Sequence, residues 1–288
     1  MLARKFGRNV STYRSTTPIE DAKIAAVAPS IFAREAHASR SERYTYIPTA
    51  DVLAGLRKEG FQPFFVAQTQ SRDDTRRDFT KHMIRLRHAS QVNAAEANEI
   101  ILLNSHDGTS SYQMLAGMLR FVCTNGLVCG KDIEDLRIPH KGNVVDRVIE
   151  GAYTVLDRFE RVDHERDEMK ALTLSGQQQV AFAQAALSLR YENEDKTPVT
   201  FERVLFPRRV EDNGADMWRT FNRVQENLTR GGQPGHDANF RRVTTRAVNG
   251  MDSNLKLNRA LWTLGQEMVR LLRGEAPSVT AEPVALAA

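Results

Sequence analysis

The chain has 288 residues, of which 41% are hydrophobic and 26% are charged. These values are typical of a globular protein with a sizeable core, and no apolar run reaches the ~20 residues that a membrane-spanning helix needs. The start, MLARKFGRNV, has basic residues but no apolar segment behind it. No secretory signal is therefore expected, and the expected location is cytoplasmic.

The charge is mildly basic and unevenly distributed. The formal net charge is +4, which permits a polyanionic partner without requiring one. Residues 203–259 hold 11 basic and 6 acidic side chains, whereas residues 131–170 hold 8 basic and 11 acidic ones. The basic excess is regional.

Composition along the chain predicts one α+β domain between two tails. Residues 1–20 are polar and are expected to form a flexible arm, and residues 274–288 (GEAPSVTAEPVALAA) a disordered tail. Within residues 21–273, we expect a sheet-plus-helix part up to residue 142 and a mainly helical part from residue 143.

Three segments after a short helix at residues 49–59 predict β-strands. FQPFFVAQTQSR is aromatic and β-branched, and EIILLNS is a short apolar run that closes at the turn HDG. KHMIRLRH alternates, with Ile84 and Leu86 on one side and Lys81, Arg85 and Arg87 on the other. This alternation predicts a half-buried strand with a basic outer face.

The next segment, SSYQMLAGMLRFVCTNGLVCG, predicts a buried helix because apolar residues recur at three- and four-residue steps. Gly117 is expected to allow close approach of another backbone. Asn125-Gly126 is expected to end the helix, with Gly126 in the left-handed conformation. The predicted core is thus a small antiparallel sheet with a buried helix, in the order strand-strand-strand-helix.

The only two cysteines, Cys123 and Cys129, lie in this segment. Cys-x5-Cys with no nearby histidine pair does not supply a zinc site, and a disulfide is not expected in the cytosol. A catalytic cysteine served by a distant histidine stays open. We favour two small core residues, and no metal or other cofactor is expected.

The second half predicts helices over residues 143–174, 177–190, the segment ADMWRTFNRVQENLTRGG and the segment SNLKLNRALWTLGQEMVRLLRG. The last two are expected to stop at Gly231-Gly232 and Gly274. Between them, FRRVTTRAV predicts a strand or an arm.

No enzyme signature is present, since the phosphate-binding, dinucleotide-binding and nucleophile-elbow motifs are all missing. The only acid-base candidates are Asp73, Asp74, His106 and Asp107. Paired surface charge explains the first two better than catalysis does. A non-enzymatic protein is therefore expected.

The arginines form the most informative constellation. Their planar guanidinium groups suit phosphate oxygens, and their convergence would form a groove able to follow a nucleic-acid backbone. The alternative is that they are dispersed and pair with local acids. The candidate nucleic-acid-binding residues are Arg72, Arg76, Arg77, Lys81, Arg85, Arg87, Arg219, Arg223, Arg241 and Arg242.

Several long blocks resemble a known family. APSIFAREAHASRSERYTYIPTADVL, EGFQPFFVAQTQSRDDTRRDFTKHMIRLRH, CTNGLVCG, MWRTFNRVQENLTRGG and LNRALWTL are similar to the uncharacterised phage and plasmid-like family called domain of unknown function 932. The resemblance covers residues 28–272 and transfers no activity or catalytic residue. It implies a prophage or plasmid setting. The predicted strand-strand-strand-helix order also resembles the core of single-strand annealing proteins of the Red-beta, RecT and Erf class.

We therefore expect binding of single-stranded nucleic acid, DNA rather than RNA, with strand annealing and assembly into a homo-oligomer as extensions. Bases would stack on an exposed aromatic such as Phe240. The alternative is a host-interaction or anti-restriction protein that acts on a protein partner. A third possibility is an undetected enzyme on nucleic acid. No membrane partner is expected.

Overall fold

The computed structural model describes residues 10–40, 44, 46–88, 96–110, 112–121, 125–129, 144–191 and 197–276. Its main feature is a curled antiparallel sheet whose six strands lie in chain order. The strands are β1 Val10–Arg14, β2 Phe61–Thr69, β3 His82–His88, β4 Glu96–Asn104, β5 Gln113–Arg120 and β6 Asn125–Val128. The expected α+β class is confirmed.

The helices cluster in the second half of the chain, as predicted. They are α1 Asp21–Val27, α2 Thr49–Lys58, α3 Val144–Asp157, α4 Phe159–Ala171, α5 Gly176–Arg190, α6 Phe201–Leu205, α7 Met217–Arg230 and α8 Met251–Arg273. A two-stranded hairpin, β7 Pro234–His236 and β8 Arg242–Thr244, follows α7. None of the helices in the described ranges is long and apolar enough to cross a membrane.

Two compact units divide the chain. The sheet unit comprises Met1–Val162 and Ala247–Arg259, and the helical unit comprises Asp163–Arg246 and Ala260–Ala288. The helix expected over residues 143–174 is two helices, α3 and α4.

In the sheet unit, α1 and α2 pack against β2, and α3 packs against β4 and β5. These helices bury the sheet face that carries Val66, Ile84 and Leu102, which form a row of cross-strand partners. The opposite face is also buried along β3, β4 and β5 because the sheet curls over it. Nη1 of Arg85 on β3 reaches the carbonyl oxygen of Leu127 on β6 at 3.4 Å.

The prediction of a buried helix after β4 is wrong. Residues 113–120 form β5, which pairs with β4 and β6. A strand buried on both faces is apolar at almost every position, so helical spacing can be found in it without a helix. Gly126 lies within β6 opposite Leu119 and is not a left-handed helix end.

Close backbone approach at Gly117 is confirmed, although in a strand. A Cβ on Gly117 would lie 2.9 Å from the carbonyl oxygen of Leu127 and 2.7 Å from Cδ1 of Ile101. A Cβ on Gly126 would clash with the guanidinium of Arg85. Both glycines therefore make room for the interior of the curled sheet.

The arm expected over residues 1–20 is also corrected in part. Residues 10–14 form β1, which pairs with β2 from Val10↔Thr69 to Arg14↔Phe65. The predicted tail at residues 274–288 lies mostly outside the described residues.

In the helical unit, α7 ends as predicted. Its N-cap is Asp216, whose side chain accepts a hydrogen bond from the backbone N–H of Arg219, and Gly231 follows the last turn with φ +63°. Its apolar side carries Trp218 and Phe221, whose rings stack with centroids 5.7 Å apart. Its polar side is buried too, and Glu226 accepts hydrogen bonds from nearby arginines within the fold.

Candidate functional site

The predicted basic face of β3 is buried. Arg85 and Arg87 expose only 4% and 1% of their surface, and both pair with the carboxylate of Glu99 on β4. Nη1 of Arg85 lies 3.2 Å from Oε2, and Nε of Arg87 lies 2.9 Å from Oε1. The alternation was correct, but the expected exposure is wrong because the sheet curls over this face. Neither guanidinium is presented to a nucleic-acid backbone.

Aromatic rings complete the environment of Arg87. Its guanidinium lies 4.2 Å from the ring centroid of Phe64 and 5.0 Å from that of Phe121. Buried charges require such compensation, since their removal from water is costly. Glu99 was not among the candidates, although a carboxylate directly before the apolar run IILL is a signal that the sequence offers.

The other basic candidates in the sheet unit surround the 3₁₀ helix Asp74–Phe79 and the start of β3. They are Arg72, Arg76, Arg77 and Lys81. Arg72 and Arg77 are exposed and form no ion pair with any residue that the structure describes. Arg76 pairs with Asp73 at 3.6 Å, and Lys81 pairs with Asp252 at 2.7 Å.

The two candidates on α7 differ in exposure. Arg219 is exposed and forms an ion pair with Asp216 at 2.8 Å. Arg223 is buried, and it donates hydrogen bonds to the carbonyl oxygen of Gly214 at 3.0 Å and to the side chain of Gln179 at 2.9 Å. Burial lowers the pKa of Arg223. Arg223 therefore stabilises the helical unit from within.

The β7–β8 hairpin presents the remaining two candidates, Arg241 and Arg242. Both are exposed, and neither forms an ion pair within the described ranges. Phe240 precedes them and is 89% exposed, in agreement with the prediction of an exposed aromatic. It has φ +58°, which places a bulky residue in the left-handed region. Among the ten candidates, only this pair is adjacent in the chain, unpaired with acids and next to an exposed ring.

The hairpin tip is held by its own backbone. The N–H of Phe240 donates to the carbonyl oxygen of Asp237 at 2.9 Å, and the N–H of Asp237 donates to that of Arg241 at 3.0 Å. Oδ1 of Asp237 accepts from the N–H groups of Asn239 and Arg241. The one acidic side chain of the tip is therefore engaged with the backbone.

The acid-base candidates do not form one cluster of exposed groups. Asp73 is exposed, and hydrogen bonds from Thr75 lower its pKa. His106 is fully buried beside His82, with ring centroids 5.1 Å apart. Neither ring nitrogen of His106 makes a hydrogen bond of standard geometry with a described residue, although the Ser30 backbone lies close enough to oppose the fall of its pKa. Oδ1 of Asp107 accepts hydrogen bonds from Thr109.

The two buried histidines are held neutral. Burial lowers the pKa of His82 to about 3 and that of His106 to about 4. His82 lies between Ser30 and Thr49, with ring nitrogens 2.8 Å and 3.0 Å from their hydroxyl oxygens. This polar network joins β3 to α2. Its residues lie far apart in the chain, so no local pattern in the sequence reveals it.

Cys129 is buried, as predicted, whereas Cys123 lies outside the described residues. Within the described part of the chain, no group of three or more histidine, cysteine, aspartate or glutamate side chains is arranged to hold a metal ion.

Comparison with known proteins identifies relatives over nearly the whole chain. The model of the family described as "Domain of unknown function (DUF932)" matches residues 36–262. The chain is 52% identical over 272 residues to UPF0380 protein YfjQ of Escherichia coli (strain K12), covering 94% of this chain and 99% of the relative. It is 51% identical, with the same coverage, to UPF0380 protein YafZ of the same organism. No solved structure matches the chain.

Proposed function

Since the chain belongs to the DUF932 family, whose description states no activity, we propose from its surface chemistry that it binds single-stranded nucleic acid through the β7–β8 hairpin. The observation that carries this proposal is the tip itself, where Arg241 and Arg242 stand exposed beside Phe240. Four further points remain predictions: that the nucleic acid is DNA, that the protein anneals strands, that it forms an oligomer, and that it belongs to a mobile element.

The charge of the hairpin favours a phosphate backbone as the ligand. Arginine donates several hydrogen bonds in a planar fork that matches phosphate oxygens. Arg241 and Arg242 are not neutralised by a described carboxylate, and Asp237 directs Oδ1 at backbone N–H groups. Contacts of this kind with the phosphate backbone give affinity for any base sequence, and that affinity falls steeply as salt is added.

Arg72 and Arg77 in the sheet unit are also exposed and without an ion-pair partner in the described ranges, and they stay separate candidates for phosphate contact within that unit. We no longer include three of the candidates in the binding site because they are buried, namely Arg85, Arg87 and Arg223.

The test is a fluorescence-anisotropy titration of a labelled single-stranded DNA oligonucleotide at four salt concentrations. For single strands, each neutralised phosphate contributes about −0.7 to the log-log slope of affinity against salt. Replacing Arg241 and Arg242 with alanine should therefore make the slope less negative by about 1.4 and weaken binding to all sequences equally.

The control removes the same charge elsewhere. Arg203 and Lys256 are exposed and lie outside the hairpin, so the Arg203→Ala/Lys256→Ala variant should change the slope much less. Absence of binding at low salt, or equal effects of the two double variants, would contradict the proposed site.

One observation favours the alternative of a protein partner. Phe206 and Val210 are 66% and 81% exposed within five residues of the helical unit. Exposed apolar side chains of this kind occur at protein interaction sites. If nucleic-acid binding is absent at low salt, this segment becomes the first surface to substitute in a search for a partner.

A further inference from the structure

Phe240 combines two unfavourable features that folding does not explain. It is the one non-glycine residue with positive φ in the described part of the chain, and its side chain is 89% exposed. Left-handed backbone favours glycine and, after it, asparagine, because a larger side chain is crowded there. An exposed ring gains little from burial to offset that crowding. Observed strain of this kind is concentrated at functional sites.

The loop fixes the backbone at Phe240. Asp237 organises the turn through its backbone N–H and carbonyl groups and through its side chain, which together engage Asn239, Phe240 and Arg241. The strand pair His236↔Arg242 closes the loop at its base. The position of Phe240 at the tip is therefore fixed before any ligand arrives, which reduces the ordering cost of binding.

The neighbours of Phe240 select the ligand. A flat apolar ring beside two unpaired guanidinium groups fits a ligand that offers a planar face next to negative charge. An unpaired nucleotide has both, since its base can stack on the ring while its phosphate contacts arginine. In a duplex, the bases are paired and stacked, so the ring has no free base face to contact.

We infer that Phe240 is a base-stacking residue that gives the hairpin its preference for single strands over duplex, an inference that rests on the proposed function. The arginines would supply affinity for the backbone, and the ring would supply the discrimination between single and double strands.

The test separates stacking from charge. Phe240→Asn removes the ring but keeps a residue that tolerates the left-handed conformation, so the melting temperature should stay close to that of the parent. Loss of one stacked base should weaken single-strand binding roughly tenfold. The salt slope and the affinity for duplex of the same sequence should not change, because no phosphate contact is removed. Phe206→Asn, at another exposed aromatic of the helical unit, should leave the single-strand affinity, the salt slope and the duplex affinity unchanged.

Phe240→Trp supplies a direct readout. The two native tryptophans, Trp218 and Trp262, are buried at 3% and 0% exposure, so the introduced indole would be the exposed one. We expect its emission to be quenched by single-stranded DNA and not by duplex.

The outcomes are distinguishable. If the parent fails to bind single strands at low salt, the proposed function fails and the stacking inference falls with it. If the parent binds with the arginine dependence described above but Phe240→Asn binds single strands equally well, only the stacking inference is overturned. A lowered melting temperature of Phe240→Asn would also overturn it, because the ring would then be retained for folding.

Discussion

At the scale of single residues, Glu99 determines that Arg85 and Arg87 form a buried ion-pair cluster. The sequence correctly places the two arginines on one side of β3, because alternation is a local property of a strand. Whether that side meets water depends on the curl of the sheet and on a carboxylate from the next strand, which pairs at 3.2 Å and 2.9 Å. A partner on another strand cannot be predicted from the eight residues KHMIRLRH alone.

Removal of Glu99 should be costly for this reason. Glu99→Ala leaves two buried guanidiniums without their shared carboxylate, and we expect the free energy of unfolding to fall by about 3–5 kcal/mol. Urea denaturation followed by circular dichroism measures the effect. Glu211→Ala at an exposed position is the matched control and should stay within about 0.5 kcal/mol of the parent. A small effect at Glu99 would show that the cluster is compensated in some other way.

At the scale of elements, the sequence predicted best the helix ends that require a particular type of residue. The ends of α7 at Gly231 and of α8 at Gly274 were predicted because these positions have positive φ, which favours glycine. The strand β5 was misread because its two faces are both buried, which removes the period-two signal. The glycines were the remaining clue, since Gly117 fits a strand crossed closely by another backbone better than a helix.

The packing at Gly117 gives a prediction for the sheet. Gly117→Ala places a methyl group against the Leu127 carbonyl and the side chain of Ile101, and we expect a loss of stability of about 1–3 kcal/mol from overpacking. Gly176→Ala is the control, because no atom lies within 4 Å of the added group at the start of α5. The measurement is the urea concentration at which half of the protein is unfolded, compared between the two variants and the parent. If both variants match the parent, the close approach of β5 and β6 is not as described.

At the scale of the whole molecule, the candidate cations are distributed over two units, and the sequence did not reveal that division. The predicted boundary near residue 142 follows the change from strands to helices. The sheet unit instead extends to Val162 and also includes Ala247–Arg259, the segment in which α8 begins. Within that unit, Lys81 pairs with Asp252, a partner 171 positions away. Long-range returns of the chain leave no local pattern, so a site assembled from distant arginines cannot be read from the sequence.

The pH dependence of folding should be governed in part by the buried histidines of the sheet unit. Burial lowers the pKa of His82 to about 3 and of His106 to about 4, whereas an unfolded histidine titrates near ~6.5. Between these values, the unfolded chain binds more protons than the folded one, so the free energy of unfolding rises with pH. The stability is fully present above ~6.5 and is lost as the pH falls toward 4, at up to about 1.4 kcal/mol per pH unit for each histidine.

His106→Phe tests this linkage. The variant should be about as stable as the parent at pH 7, because the buried ring nitrogens that it removes make no hydrogen bond of standard geometry with a described residue. It should also lose less stability on acidification, by up to about 1.4 kcal/mol per pH unit between 6.5 and 4.5. Urea denaturation at half-unit steps of pH gives both quantities, and His236→Gln at an exposed position should retain the slope of the parent. An unchanged slope in His106→Phe would show that proton uptake elsewhere governs acid unfolding.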